Sequence, residues 1–87
     1  MTIDELFDEF ERGLFTDTEF SAHLLLVLGK TSGSSWLRRL PMRLRADVAL
    51  LAQEIVSGAD ITYVGGEQQF RIPIEGARAA LIALSTE

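Results

Sequence analysis

Side chains that commonly perform catalysis or bind transition metals are nearly missing from this sequence. Its 87 residues include no cysteine and a single histidine, His23, which lies inside an apolar run from residue 22 to residue 28. Most side-chain bases, nucleophiles and metal ligands are His or Cys. We expect His23 to be a hydrogen-bonded histidine in or beside the core. The sequence therefore predicts a protein that is not an enzyme and that uses no metal or other cofactor.

One short segment has the residues of a phosphate-binding loop. Gly29-Lys30-Thr31 resembles the end of such a loop, but the motif requires an earlier glycine at the position where Leu24 stands. It also requires a preceding β-strand, whereas the pattern here predicts a helix. Nucleotide binding is therefore not predicted.

Acidic residues are concentrated at the N-terminal end of the chain. Seven of the thirteen acids fall within the first nineteen residues. They are Asp4, Glu5, Asp8, Glu9, Glu11, Asp17 and Glu19. Acids near a helix N-terminus suit the helix dipole, so a solvated face without a partner is one interpretation. The other is a docking surface for a basic protein, for which we select Asp4, Asp8, Glu11 and Asp17.

Basic residues form a second cluster, next to the only tryptophan. Four of the eight basic residues lie within the eight positions 38–45, close to Trp36. They are Arg38, Arg39, Arg43 and Arg45. Such a patch could contact the phosphates of DNA or RNA, or an acidic partner. Because the net charge of −5 opposes approach to a polyanion, we expect these arginines to pair instead with acids of the same chain or of a partner protein.

Two capping boxes mark the first helices. Thr2 with Glu5, and Thr16 with Glu19, have the spacing at which side chain and backbone cap each other. Helix 1 is predicted over about residues 3–13 and helix 2 from residue 17 to Gly29. The short connection predicts an antiparallel helical hairpin. A polar loop follows, then one helical turn, and a third helix that begins at Pro41 and ends at Ser57-Gly58.

The apolar period then changes from 3.6 to 2, which predicts a β-hairpin over residues 61–74. Closed on Gly65-Gly66, it pairs Val64 with Glu67, Tyr63 with Gln68, Ile61 with Phe70 and Asp60 with Arg71. A last helix is predicted over about residues 75–85, with Ala77, Leu81 and Leu84 inward. The predicted fold is a mainly helical α+β domain that spans residues 1–87.

Composition adds expectations about location and self-association. The longest apolar run is too short for a bilayer span, and no basic segment precedes an apolar stretch at the N-terminus, so we expect a cytoplasmic protein without membrane contact. Apolar residues 24–28 surround helix 2 on all sides. Either the rest of the chain covers them or a second copy does, and the short length favours a homodimer.

One frame of residues resembles a known family. It is Leu6-x3-Phe10-x2-Gly13-x-Phe15-Thr16-x2-Glu19-Phe20. This frame is similar to the opening helical hairpin of the colicin-D-type bacterial immunity proteins, over about the first quarter of the chain. Those small acidic helical proteins neutralise a tRNA-cleaving toxin by covering its basic active site. The resemblance implies an inhibitor that uses acids such as Asp4, Asp8 and Glu11.

We therefore predict a small acidic protein-binding module, of inhibitor or immunity type, that masks a basic partner through an acidic helix face. The alternatives are a DNA- or RNA-binding regulator that uses the residue 38–45 arginines, and a structural homodimer with no other partner.

Overall fold

A computed structural model describes residues 2–30, 35–59, 61–65 and 68–85, with side chains described for all of these except 63–65 and 68. The elements in chain order are α1 (Ile3–Glu11), α2 (Asp17–Leu28), a 3-10 helix (Ser35–Arg38), α3 (Met42–Val56), β1 (Thr62–Gly65), β2 (Gln68–Arg71) and α4 (Ile74–Ser85). The chain is thus mainly helical, as predicted. No helix within the described ranges is long and apolar enough to cross a membrane.

Both predicted capping boxes are confirmed. The Glu5 backbone N–H donates to Thr2 Oγ1 at 3.2 Å, and the Thr2 N–H donates to the Glu5 carboxylate at 3.4 Å. The pair Thr16 and Glu19 makes the same two bonds at the start of α2. These bonds satisfy backbone donors that have no partner inside the helix.

α1 ends two residues earlier than predicted, because Gly13 closes it. Gly13 has φ +80°, a conformation that costs glycine little, and its N–H donates to the Phe10 carbonyl at 3.0 Å. The Leu14 N–H donates to the Glu9 carbonyl at 3.0 Å. These two bonds form a Schellman motif, which turns the chain back toward α2.

α1 packs on α2 through aromatic rings. Phe7 and Phe20 are fully buried and meet edge to face at 5.1 Å between ring centroids. Phe10 is half-buried and stacks on Phe20 at 4.2 Å. Leu24 is also fully buried. The predicted pairing of these two helices therefore has a specific aromatic core.

α2 is the central helix, in contact with α1, α3 and α4. Leu24 and Leu25 have no exposed surface, and Val27 and Leu28 are buried as well. The expectation that a second copy covers this helix is wrong, because the other helices of the same chain cover it.

The segment before α3 also contributes to the core. Trp36, Leu37 and Leu40 are each at most 6% exposed. Pro41 is the N-cap of α3, with φ −59° and ψ 140°. The helix therefore begins at Met42, one residue later than predicted. The polar loop predicted before this segment includes residues 31–34, which lie outside the described residues, as does Thr31 of the phosphate-loop resemblance.

α4 packs on α2 and α3, and the side that it buries consists of small residues. Its buried side is Gly76, Ala77, Ala80 and Ala83. Leu81 and Leu84, predicted to point inward with Ala77, are only half-buried. A Cβ atom built on Gly76 would overlap the carbonyl oxygen of Leu25. The backbone of α4 therefore lies directly against that of α2, at a separation that only a glycine permits.

The two short strands pair in a register different from the predicted one. Thr62 lies opposite Arg71, Tyr63 opposite Phe70 and Val64 opposite Gln69. β1 ends at Gly65 and β2 begins at Gln68, so the hairpin predicted on Gly65-Gly66 is wrong in register. The predicted partners Asp60 and Glu67 lie outside the described residues. The alternation of apolar residues does not distinguish the predicted register from the observed one, because a shift of two residues keeps every side chain on the same face.

Candidate functional site

The acidic residues of α1 are gathered by an arginine that lies far away in sequence. Arg39 Nη2 donates to Asp8 Oδ1 at 3.0 Å and to Glu11 Oε1 at 3.1 Å. Its Nη1 lies 3.6 Å from Asp4 Oδ1. Residues 4, 8 and 11 share one face of a helix, because they are four and three positions apart. We call Asp4, Asp8 and Glu11, with Arg39 between them, the acidic surface.

Buried neighbours fix the position of Arg39. The residue follows the 3-10 helix, whose Trp36 and Leu37 side chains are buried. The Arg39 guanidinium carbon lies 5.0 Å from the ring centroid of Phe7, which is itself buried against α2. A cation over an aromatic face is attracted by the ring electrons. The backbone before Arg39 and the ring beneath its guanidinium are therefore both held in the core, and the N–H donors of Arg39 point to the carboxylates.

The carboxylates remain largely in water while they are held. The side chain of Arg39 is 32% exposed, whereas those of Asp4, Asp8 and Glu11 are 82%, 64% and 60% exposed. Hydrogen bonds from Arg39 to Asp8 first, and then to Glu11, raise the pKa of the guanidinium above its usual value. Exposed ion pairs add little to stability, so the main effect of this cluster is on geometry.

A second ion pair has the same arrangement, an arginine that binds a carboxylate and lies near an aromatic ring. Arg43 Nη2 donates to Asp17 Oδ1 at 3.0 Å, and its guanidinium carbon lies 5.9 Å from the ring centroid of Phe10. The Arg43 side chain is 61% exposed and that of Asp17 is 48% exposed. Two arginines from the segment around α3 thus pair with acids from the segment around α1 and α2.

The predicted acidic and arginine-rich surfaces are therefore not independent. Arg39 and Arg43 pair with acids of the same chain, which is one of the outcomes expected for these arginines. Arg38 is exposed and Arg45 is half-buried. Trp36 is only 3% exposed, so the patch proposed for nucleic acids lacks a surface aromatic to stack on a base.

Two residues of this site were not predicted from sequence. They are Phe7 and Phe10, whose rings belong to the aromatic core and also lie beneath the guanidinium groups of Arg39 and Arg43. A signal was present in the spacing: Phe7 is three positions after Asp4, so it borders the acidic face of α1. The spacing alone does not show which arginines lie over these two rings.

His23 lies beside the aromatic core, as expected. It is half-buried, and its ring centroid is 5.5 Å from that of Phe15. Burial lowers the pKa of His23, and the negative charge of Glu9 partly opposes this effect. Within the described part of the chain, no three acidic, histidine or cysteine side chains come together to hold a metal ion.

The lowered pKa of His23 predicts a pH dependence of stability. Below the ordinary value of 6.5, the unfolded chain binds a proton that the folded protein resists, so the free energy of unfolding falls as pH decreases through this range. We expect His23→Gln, which cannot titrate, to lose less stability than the wild type between about pH 7 and pH 5. Urea unfolding at each pH measures this difference, and parallel curves for the two proteins would refute it.

Comparison of the chain with protein-family models, with curated proteins and with solved structures finds no match.

Proposed function

We propose that this protein is a protein-binding module of inhibitor or immunity type, which masks a basic partner protein through the acidic surface. One observation carries the proposal: Arg39 holds three carboxylates in place and leaves each of them at least 60% exposed. Arg39 already restricts the movement of these carboxylates, so they lose little further conformational entropy when a partner binds them. Pre-organisation of this kind lowers the entropic cost of binding.

The net charge of the region supports a basic partner. Seven acids lie between residues 4 and 19, and the cations that belong to or reach this region are Arg12, Arg39 and Arg43. Among the described residues, the acids of this region therefore outnumber these three cations by four. A surface with a net negative charge accelerates encounter with a positively charged protein and disfavours polyanions.

The same geometry disfavours the nucleic-acid alternative. Two of the four clustered arginines already donate to carboxylates, and Trp36 is in the core. Binding a phosphate backbone would require these arginines to leave acids that stay nearby and repel the phosphates. The resemblance of the residue 6–20 frame to colicin-D-type immunity proteins implies a mode compatible with the acidic surface, in which acids cover a basic active site in the cytoplasm.

Site-specific crosslinking tests the proposal. A photo-crosslinking amino acid at position 12, one residue beyond the end of α1, is expected to capture a basic protein from cells that encode the chain. The same amino acid at position 78, an exposed arginine of α4, is the matched control and should not capture that protein.

The capture should depend on the acidic surface. The variant Asp4→Asn, Asp8→Asn, Glu11→Gln removes three negative charges without placing lysines beside Arg39. We expect it to lose most of the crosslinked product. The control variant Asp47→Asn, Glu54→Gln, Glu75→Gln removes three exposed acids from α3 and α4 and should retain the product. Equal crosslinking by both variants would contradict the proposal.

A further inference from the structure

α3 presents a solvent face that carries apolar and small residues. Four of these residues, together with the polar Gln53, recur at alternating intervals of four and three positions, the spacing of helices that pack along their length. They are Met42, Ala46, Ala49, Gln53 and Val56, of which Ala49 is half-buried and the other four are exposed. Met42 is 75% exposed and Val56 is 38% exposed, and the adjoining Leu50 is 59% exposed. We call these six residues the α3 face.

The charges of α3 run against its own dipole. α1, α2 and α4 each carry an acid in the first turn, which suits the positive end of a helix. The first turn of α3 has no acid and contains Arg43, while its last turn has no basic residue and contains Glu54. Among the described α-helices, α3 alone has this unfavourable arrangement, which an antiparallel neighbour of the same charge pattern would relieve.

We propose that the α3 face binds the α3 face of a second copy of this chain, with the two helices antiparallel and the two-fold axis close to Ala49. This arrangement places Met42 opposite Val56 of the second copy. It also places Arg43 beside Glu54 of the second copy, twice by symmetry. Each misplaced charge then lies near an opposite charge and near the favourable end of the neighbouring helix.

The residues near the axis allow close contact. Ala46 and Ala49 are small, so the helix axes can approach at the short end of the usual range of about 8–10 Å. Arg43 donates to Asp17 through one nitrogen, and its side chain is 61% exposed. An arginine guanidinium has five N–H donors, so others can reach a second carboxylate. A helix of 15 residues is only about 22 Å long, so the interface is small and the dimer should dissociate at micromolar concentrations.

Sedimentation equilibrium from low micromolar to near-millimolar concentration tests this inference. The mass should rise from 9.6 kDa toward twice that value as concentration increases. Leu50→Lys and Glu54→Lys should each raise the dissociation constant by about tenfold or more. Ile82→Lys and Glu75→Lys make comparable changes at exposed positions of α4 and should leave the dissociation constant unchanged.

Because the chain has no cysteine, a single introduced cysteine gives a second test. Ala49→Cys, at the proposed axis, should oxidise to a disulfide-linked dimer much faster than Ile82→Cys does. A constant mass of 9.6 kDa, dimerisation unaffected by Leu50→Lys and Glu54→Lys, or equal oxidation rates for the two cysteine variants would each overturn the assignment of the α3 face. The acidic surface takes no part in these experiments.

Discussion

Phe20→Ala is expected to lower the free energy of unfolding by about 4 kcal/mol, a large fraction of the roughly 5–15 kcal/mol typical of a folded domain. Phe20 has no exposed surface and touches the rings of both Phe7 and Phe10. Its removal leaves a cavity at the junction of α1 and α2 that neither neighbour can fill without leaving its own contacts. The junction also supports Arg39, since Phe7 lies beneath that guanidinium.

The matched control is Phe15→Ala, which removes a half-buried ring from the same helical pair. We expect it to cost about half as much or less. Urea denaturation followed by circular dichroism gives both values. A Phe20 variant that is no less stable than the Phe15 variant would show that the aromatic cluster is not the core of the helical pair.

Gly76→Ala should destabilise the protein by about 3 kcal/mol, although alanine is the better helix former. The added methyl group would overlap the Leu25 carbonyl oxygen, which accepts the Gly29 N–H at 3.3 Å. Backbone atoms cannot rotate away as a side chain can, so α4 as a whole must move from α2.

A second glycine separates this clash from an ordinary backbone effect. A Cβ atom added at Gly13 would have no atom within 4 Å. Gly13→Ala should therefore lower the free energy of unfolding only through the positive φ, by about 1 kcal/mol. Thermal unfolding of both variants distinguishes the two causes. If Gly76→Ala is as stable as the wild type, the close approach of α4 to α2 is wrong.

The local features of the fold could be predicted because local chemistry determines them. The two threonine-glutamate boxes and the glycines that end α1 and α3 act within one helical turn, so their spacing is sufficient evidence. The strand register could not be predicted in this way. Registers two residues apart share the same alternation, and only the position of the turn separates them.

Contacts between distant segments were the part that sequence could not supply. Arg39 and Asp8 are 31 positions apart, and nothing in either segment identifies the other as its partner. The packing side of α4 was predicted from Ala77, Leu81 and Leu84. Ala77 is buried as predicted, but Leu81 and Leu84 are only half-buried, because the close contact of α4 with α2 is made at Gly76. The apolar run of α2 predicted burial correctly but not which elements bury it.

The rate of association with the crosslinked partner tests the acidic surface most directly. The wild-type association rate constant should fall steeply as salt is added, because salt screens the attraction between an acidic surface and a basic protein. At low salt, the Asp4→Asn, Asp8→Asn, Glu11→Gln variant should associate about tenfold more slowly and respond less to salt. The Asp47→Asn, Glu54→Gln, Glu75→Gln variant should match the wild type. The same rate and the same salt dependence in all three proteins would contradict the proposed role of the acidic surface.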